Sequence, residues 1–423
     1  MSFSQALSGL NSQAQKLGTI GNNIANSQTV GFKSSNVQFS DVFAGSKVGL
    51  GTRVASVLQN FNEGNVESTN RNLDLAIAGD GFFRFQDPSG EVVYSRNGQL
   101  SMTSEGNLIN SQGAQIMGFG LNAAGQVQVG GQPVPLNVSA EELDASATTR
   151  VGTTINLDAR KAMGEGLSTV EATDSTGNPA MIDYHYSNNF TVFDSLGNPR
   201  NITVYYEKTA ANEWTAKMTL DGTTLDDGGA PANVTEYSVR FDSNGKLVNG
   251  GGDVDANGAI AGITFDAADY LGGEPENLTF DLNLAGTTQF GNTSTVSSLN
   301  QNGYTSGTLV GITINDDGTI MRNYSNEQSR PAGQVALVSF RNPEGLTPAG
   351  DNVWSASATS GQELIGAPGT GLLGSVVSGA VETSNVDMAR ELVDMIVAQR
   401  AYQANSQTIK TQDELLQTAI NLR

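Results

Sequence analysis

Residues 388–423 read MARELVDMIVAQRAYQANSQTIKTQDELLQTAINLR and contain neither glycine nor proline. An apolar repeat of seven residues runs through this stretch, formed by Met388, Met395, Tyr402, Ile409 and Leu416, with Leu392, Ile396, Ala419 and Ile420 beside it. Such a repeat is typical of a coiled coil. Ser384 and Asp387 resemble a capping box, so the pattern predicts one helix from about Val386 to the end of the sequence, on the order of 55 Å long.

The start of the sequence carries a second amphipathic stretch without proline. Its apolar residues follow the three-and-four spacing that places side chains on one helix face, and they are Phe3, Leu7, Leu10, Ala14, Leu17 and Ile24, with Ile20 one step off this line. Helices with a long, narrow apolar stripe usually need partners, so we expect the two ends to pair with each other or with copies of themselves. The open alternative is that both pack on the central body as ordinary core helices.

The composition excludes some kinds of functional site and disfavours some kinds of partner. A chain of 423 residues predicts two to four domains. The net charge of -21 disfavours nucleic acid and anionic membranes, because phosphate binding depends on lysine and arginine. The absence of cysteine excludes disulfides, thiolate metal sites and cysteine nucleophiles. The sequence shows neither a Sec-type signal peptide nor an apolar run long enough to span a bilayer, so we expect no membrane insertion and, if the chain is exported, another route.

The middle of the sequence has a β pattern. All 11 prolines lie between Pro88 and Pro368, and turn signals such as Asn97-Gly98 separate short apolar runs. A block from about Arg150 to Asn302 has strand-like runs at spacings that predict a sandwich or barrel of antiparallel strands.

These features predict a mostly β fold with terminal α-helical coiled-coil segments, arranged as nested domains. We expect a helical inner domain from residues 1–72 and 375–423, a first β domain from 73–149 and 303–374, and an inserted outer β domain from 150–302. The glycine-bearing segments Gly45 to Gly51 and Gly366 to Gly379 are candidate hinges between these layers.

Three motifs could carry chemistry, and each has a simpler interpretation. Gly369 to Gly374 spells G-x-G-x-x-G, but no strand precedes it and no helix follows, which indicates a flexible connector. Asp253 to Gly258 resembles the first half of a calcium loop, but the closing glutamate is replaced by Thr264, so an ordinary turn is favoured. His185 is the single histidine and cannot form a zinc site without further ligands. We therefore expect no catalytic residue, no cofactor and no metal site, and we expect that the protein is not an enzyme.

Several motifs at both ends and in the interior resemble the axial proteins of the bacterial flagellum. At the start they are Asn22 to Asn26 and Thr29 to Lys33, and in the interior Leu73 to Ile77, Gly81 to Phe83 and Tyr94 to Gly98. At the end they are Ser384 to Asp387, Met395 to Asn405 and Thr411 to Glu414. Within that family, Asp194 to Gly197, Tyr324 to Glu327 and the stretch from Asn342 to Trp354 are similar to hook proteins rather than rod proteins.

The resemblance implies a subunit that is exported unfolded by the flagellar type III apparatus and polymerises into a curved, flexible tube at the cell surface. The implied partners are further copies of the chain, the distal rod protein, the hook cap protein, the hook-filament junction protein and the export apparatus. The expected assembly interface comprises the apolar residues of both helices, namely Phe3, Leu7, Leu10, Ala14, Leu17, Ile24, Met388, Leu392, Met395, Ile396, Tyr402, Ile409, Leu416 and Ile420. Phe39 and Phe43 resemble an export-gate signal, and an apolar pair that packs in the assembled subunit is the equally weighted alternative.

Two other functions stay open at this point. A distal rod or hook-filament junction protein belongs to the same family, but the large β insert argues against it. A secreted β-rich adhesin or glycan-acting enzyme belongs to a different class and predicts an acid/base or metal constellation, such as two opposed carboxylates, that the sequence does not reveal.

Overall fold

The computed structural model describes residues 3–42, 49–226 and 233–421, with side chains up to residue 418 in the last range. The chain forms two compact units. Unit 1 comprises Met1–Ala140, Val310–Asn323 and Ser329–Arg423, and unit 2 comprises Glu141–Leu309 and Tyr324–Gln328. The terminal helices and the first β part thus belong to one unit, while the three-part division with its boundaries stays a prediction.

Both expected terminal helices are present. Helix α1 spans Phe3–Ala25, α2 is a single turn at Ala267–Tyr270, and α3 spans Met388–Asn421; a short 3-10 helix covers Pro343–Gly345. The capping carboxylate of α3 is Asp387, whose Oδ1 accepts the Arg390 N–H at 3.1 Å, and Ser384 lies outside the helix. Among the described helices, none has the length and apolar character that crossing a membrane requires.

In the first part of unit 1, the described residues form the strands β1 Ser35–Val42, β2 Gly51–Gln59, β3 Val66–Ser68, β4 Asp74–Ala78, β5 Phe82–Gln86, β6 Val92–Ser95, β7 Gly98–Gln99, β8 Ser101–Met102, β9 Leu108–Ile109, β10 Gln115–Phe119 and β11 Val134–Pro135. Hairpin β1–β2 forms a sheet of its own.

Unit 2 follows with β12 Arg150–Asp158, β13 Ser168–Thr173, β14 Pro179–Tyr184, β15 Tyr186–Phe193, β16 Pro199–Ala210, β17 Glu213–Leu220, β18 Thr223–Thr224, β19 Glu236–Phe241, β20 Leu247–Gly252, β21 Ala259–Phe265, β22 Leu278–Asn283, β23 Thr288–Phe290 and β24 Thr295–Gln301.

The chain then returns to unit 1 through β25 Leu309–Ile314, β26 Thr319–Tyr324, β27 Ser329–Val335, β28 Leu337–Ser339, β29 Thr347–Gly350, β30 Val353–Ser355, β31 Leu364–Gly366, β32 Ser375–Ser378 and β33 Ala380–Glu382. The largest sheet of unit 1 has the central order β25-β26-β27-β10-β5-β6-β30-β29. Two small sheets, β32-β4-β7 and β3-β33, join residues near the two ends of the chain.

Unit 2 consists of two sheets around a shared core. One sheet has the order β14-β13-β18-β17-β16-β15, extended by β19 and β20, and the other has β21-β22-β12-β23, with β24 paired to β12. The expectation of antiparallel strands throughout is wrong, because β12 pairs in parallel with both β22 and β23. A parallel partner requires a long crossover, which spacing between neighbouring strands cannot reveal.

The core of unit 2 contains a buried hydroxyl group. Trp214, Tyr206 and Phe280 come from both sheets and are at most 1% exposed. Tyr206 stacks on Tyr186 with ring centroids 6.4 Å apart. Its hydroxyl is buried and has no hydrogen-bond partner in the described part of the chain, and burial raises its pKa above the ordinary value.

We expect Tyr206→Phe to stabilise unit 2 by about 1 kcal/mol, because it removes a buried polar group that lacks a partner. At the size of this unit, such a gain corresponds to an increase in Tm of roughly 2–4 °C, measurable by calorimetry. The matched control is Tyr186→Phe, which removes a hydroxyl from a half-buried residue and should change stability by less than about 0.5 kcal/mol. A loss of stability in Tyr206→Phe would show that the hydroxyl is satisfied, for example by a buried water.

Candidate assembly surface

Helices α1 and α3 pack against each other in opposite directions. Near the end of α1, the Asn23 amide donates to Glu391 Oε1 at 3.0 Å. Near its start, a Cβ built on Gly9 lies 3.0 Å from the Asn405 side-chain nitrogen. Because residue numbers rise along one helix as they fall along the other, the pair is antiparallel.

One stripe of α3 faces α1. Its members are half-buried or buried at alternating spacings of four and three residues, and they are Glu391, Met395, Ala398, Tyr402, Asn405 and Ile409. This spacing keeps one face of a helix against a partner helix, as in a coiled coil. Three residues of the expected interface, Met395, Tyr402 and Ile409, therefore lie against α1 of the same chain.

A second apolar face of α3 points away from α1. Met388, Leu392, Ile396 and Leu416 of the expected interface are 42–59% exposed. Val393, Val397 and Leu415, which sequence reasoning missed, are 55–64% exposed beside them. The sequence contains a signal for this second face, namely pairs of adjacent apolar residues such as Leu392-Val393. Such pairs make the apolar stripe of a helix wider than a single row of side chains. The side chain of Ile420 lies outside the described residues.

The expected apolar line of α1 is largely accessible as well. Phe3 and Leu7 are 53% and 42% exposed, Ala14 is exposed, and Leu10, Leu17 and Ile24 are half-buried. The most buried apolar residues of α1 are Ala6 and Ile20, both off this line. The role of these helix residues as an interface between subunits stays a prediction.

The burial of α1 follows from its second contact, with hairpin β1–β2. Ser8 Oγ accepts the Thr52 N–H at 3.2 Å, and the Asn23 amide donates to the Ser35 carbonyl at 2.9 Å. Because α1 packs against both α3 and this hairpin, its buried face contains small and polar residues. Ile20 is buried as well, whereas the large side chains of Phe3 and Leu7 stay exposed.

A buried ionic cluster joins the two ends of the chain to the β part of unit 1. Lys33 Nζ lies 2.6 Å from Glu382 Oε1, and Arg96 Nη1 lies 3.4 Å from Glu382 Oε2. The three side chains are at most 2% exposed. Lys33 follows α1, Glu382 ends β33 shortly before α3, and Arg96 lies between β6 and β7, so one carboxylate connects three segments.

Backbone groups complete this cluster. Lys33 Nζ also donates to the Asn62 carbonyl at 2.7 Å, and Glu382 Oε1 accepts the Gly64 N–H at 2.8 Å. Gly31 packs so closely on this site that an added Cβ would lie 2.7 Å from the Asn97 nitrogen, and its φ of +69° also favours glycine. Burial lowers the pKa of Lys33, and this effect outweighs the opposite effect of its pairing with Glu382.

The candidate export signal is only partly described. Phe39 lies on β1, where it pairs with Val54 across the hairpin and is 39% exposed. Phe43 lies outside the described residues. The assignment of the two as an export signal stays a prediction.

The segment from Gly369 to Gly374 is a tight turn between β31 and β32, in place of the expected flexible connector. The Gly369 N–H donates to the Gly374 carbonyl, and the Gly374 N–H donates to the Asp80 carbonyl, both at 2.8 Å. The strand that follows pairs with β4, and its Val376 is fully buried. Sheet pairing fixes Ser375–Ser378 and hydrogen bonds close the turn before it, so this part of the candidate hinge is held in place.

The calcium-like loop and the histidine also make internal contacts. Asp253 Oδ2 accepts the Ser238 N–H, and Asp255 Oδ1 accepts the N–H groups of Asn257 and Ala259. His185 Nδ1 accepts the Lys208 N–H at 3.1 Å. Within the described residues, no group of three or more His, Asp or Glu side chains is placed to hold a metal ion.

Four family models match successive parts of the chain. They describe a flagella basal body rod protein (residues 4–33), a flagellar hook protein FlgE/F/G D1 domain (76–155), a flagellar basal body protein FlaE D2 domain (156–304) and a flagellar basal body rod FlgEFG protein C-terminal region (377–422). The models at the two ends cover α1 and α3.

Curated relatives match along the whole length. The flagellar hook proteins FlgE of Salmonella typhimurium and Escherichia coli K12 are 44% and 43% identical, with all of both chains covered in each case. That of Borreliella burgdorferi is 30% identical and covers all of this chain and 99% of its own.

One solved structure supports the fold. The crystal structure of Helicobacter pylori flagellar hook protein FlgE2 matches with a TM-score of 0.53 at 14% identity, over 75% of this chain and all of that one. Since relatives at 30–44% identity match from end to end, the chain belongs to the flagellar hook protein FlgE family.

Proposed function

We propose that this chain is a structural subunit that polymerises into the flagellar hook, the curved, flexible tube that transmits torque from the rod to the filament. The match to hook proteins over the full length carries this proposal. The exposed apolar face of α3 supports it, because exposed apolar surface of this kind marks an interaction site. The role is structural rather than enzymatic.

The apolar surface of the terminal helices and the charged surface of the β parts suit different tasks. The apolar residues of α1 and α3 can bury large areas against neighbouring copies and keep the tube intact. The β parts carry most of the charge of this acidic chain. Polar, hydrated contacts between such surfaces exchange readily, which permits neighbouring subunits to slide as the tube bends.

The proposal includes a route and a set of partners. The chain is exported unfolded by the flagellar type III apparatus, and its terminal helices order on assembly, because isolated helices are marginal in water. The distal rod protein, the hook cap protein and the hook-filament junction protein are its partners at the cell surface. The insert of residues 156–304, which matches a D2 domain model, favours a hook subunit over a distal rod or junction protein.

Labelling of living cells tests the location. The chain has no cysteine, and Ser243 lies exposed in a turn of unit 2, so Ser243→Cys introduces a single accessible thiol. We expect a thiol-reactive dye on intact motile cells to mark a short stub at the base of each filament. Cells with the unsubstituted chain are the control and should show no stub. Label along whole filaments, over the cell surface or only in the medium would contradict the proposal and favour a filament protein, an adhesin or a secreted enzyme.

A further inference from the structure

Seven turns in the described chain share one geometry. Each begins with Asp or Asn, and the Oδ1 atom of that residue accepts the N–H groups of the residues two and four positions later, at 2.7–3.0 Å. The first residues of these Asx-Gly turns are Asp87, Asn110, Asn122, Asp174, Asp194, Asp242 and Asp255. Three lie in unit 1 and four in unit 2.

Each Asx-Gly turn is closed by its own backbone as well. In the turn at Asp242, the Gly245 N–H donates to the Asp242 carbonyl at 3.0 Å, and the Asp242 N–H donates to the Lys246 carbonyl at 2.8 Å. The fourth position is glycine in all seven, with φ between +71° and +90°, a region that other residues rarely adopt. Four hydrogen bonds are thus made within five consecutive residues.

Several of these turns join strands that are neighbours in sequence and in the sheet, whereas the turn at Asp255 leads from β20 to β21, which lie in different sheets. The turns at Asp87, Asp174, Asp194 and Asp242 connect β5 to β6, β13 to β14, β15 to β16 and β19 to β20, and each of these strand pairs is antiparallel. The hydrogen bonds to the turn also lower the pKa of Asp242, which shows that they favour its carboxylate form.

Other pairings in both units are remote in sequence. In unit 2, Arg150 pairs with Asp281 and Val151 with Gln301. In unit 1, Val66 pairs with Glu382. Closing such long loops is slow and costs entropy before any contact forms, whereas a hairpin forms in about 1–10 μs.

We propose that the Asx-Gly turns are local folding nuclei, from which both units refold without disulfides once the chain has emerged unfolded. That the chain emerges unfolded rests on the proposed export, but the test below does not depend on it. Hairpins that form first reduce the number of independent segments that must meet when β12 finds its distant partners. The carboxylate or amide acceptor pre-orders each turn before any remote contact exists.

Refolding and unfolding kinetics of the purified full chain test the proposal. The measurement uses Asp242→Ala in a Trp354→Phe background, so that Trp214 fluorescence reports unit 2. Brief unfolding, for a few seconds, keeps the prolines in their native isomers. We expect refolding to slow about fivefold and the unfolding rate to change less than about twofold, because interactions already formed in the transition state affect only the folding rate.

Two matched variants separate a local nucleus from a general loss of stability. Asp242→Asn keeps an Oδ1 acceptor, as Asn110 and Asn122 do at the same position, and should refold at nearly the original rate. Asp281→Ala removes the hydrogen bond that the Gly262 N–H donates to Asp281 Oδ1 at 2.9 Å, between residues 19 positions apart in sequence, and should speed unfolding only.

Two results would overturn the proposal. One is that Asp242→Ala speeds unfolding and leaves refolding unchanged. The other is that Asp281→Ala slows refolding as much as Asp242→Ala does. Either result concerns the purified chain alone, so it would leave the hook assignment, which the labelling of cells tests, unaffected.

Discussion

Glu382→Gln should lower the free energy of unfolding of unit 1 by about 3–5 kcal/mol, the usual cost of removing one partner from a buried ion pair. Glutamine has nearly the same shape but no charge, so the Lys33 ammonium and the Arg96 guanidinium would stay buried without an anion between them. The measurement is denaturant unfolding followed by Trp354 fluorescence in a Trp214→Phe background.

Glu67→Gln is the matched control for this experiment. Glu67 lies on β3, the strand that pairs with β33, and its side chain is exposed. The same chemical change there should cost less than about 0.5 kcal/mol. If Glu382→Gln cost less than about 1 kcal/mol, water would have to reach the cluster, and the account of a buried carboxylate that holds three segments would be wrong.

Leu392→Asp combined with Ile396→Asp should abolish hook formation while the subunit stays folded. Both side chains lie on the outer face of α3 and are 46% and 51% exposed, so aspartate meets water in the free subunit. In the polymer, an unpaired carboxylate in an apolar contact costs several kcal/mol, and this cost recurs at every subunit. The measurements are electron microscopy of flagellar bases, swimming in soft agar, and circular dichroism of the purified chain.

The matched control adds the same charge about three turns further along the same face of α3, where the residues are polar. Gln403 and Gln407 are exposed, polar and also four residues apart, so Gln403→Asp with Gln407→Asp tests whether negative charge alone blocks assembly. We expect hooks to form in the control. Normal hooks in the Leu392/Ile396 variant would remove the outer face of α3 from the assembly interface.

Local patterns predicted the two terminal helices and the β-rich middle correctly. The seven-residue repeat and the freedom from glycine and proline indicated α3, and the three-and-four spacing of apolar residues indicated α1. These elements depend on residues that are close in sequence. Propensity and periodicity therefore describe them well.

Contacts between distant residues could not be predicted in this way. Lys33, Arg96 and Glu382 are charged, and charged residues are expected at the surface unless a partner is known. Their meeting depends on the pairing of β3 with β33, which no local pattern reveals. The inner and outer faces of α3 were likewise merged into one interface, because the repeat alone does not tell which partner covers each face.

The buried ionic cluster also makes stable folding of the subunit depend on a complete chain. Its two cations are synthesised early in the chain and its anion only at residue 382, after which α3 supplies the partner of α1. A product truncated before that point would have to bury Lys33 and Arg96 without a counter-charge and would leave α1 without its companion helix. Such a fragment cannot form the inner helix pair favourably. The free energy of folding alone therefore disfavours the native fold in incomplete chains.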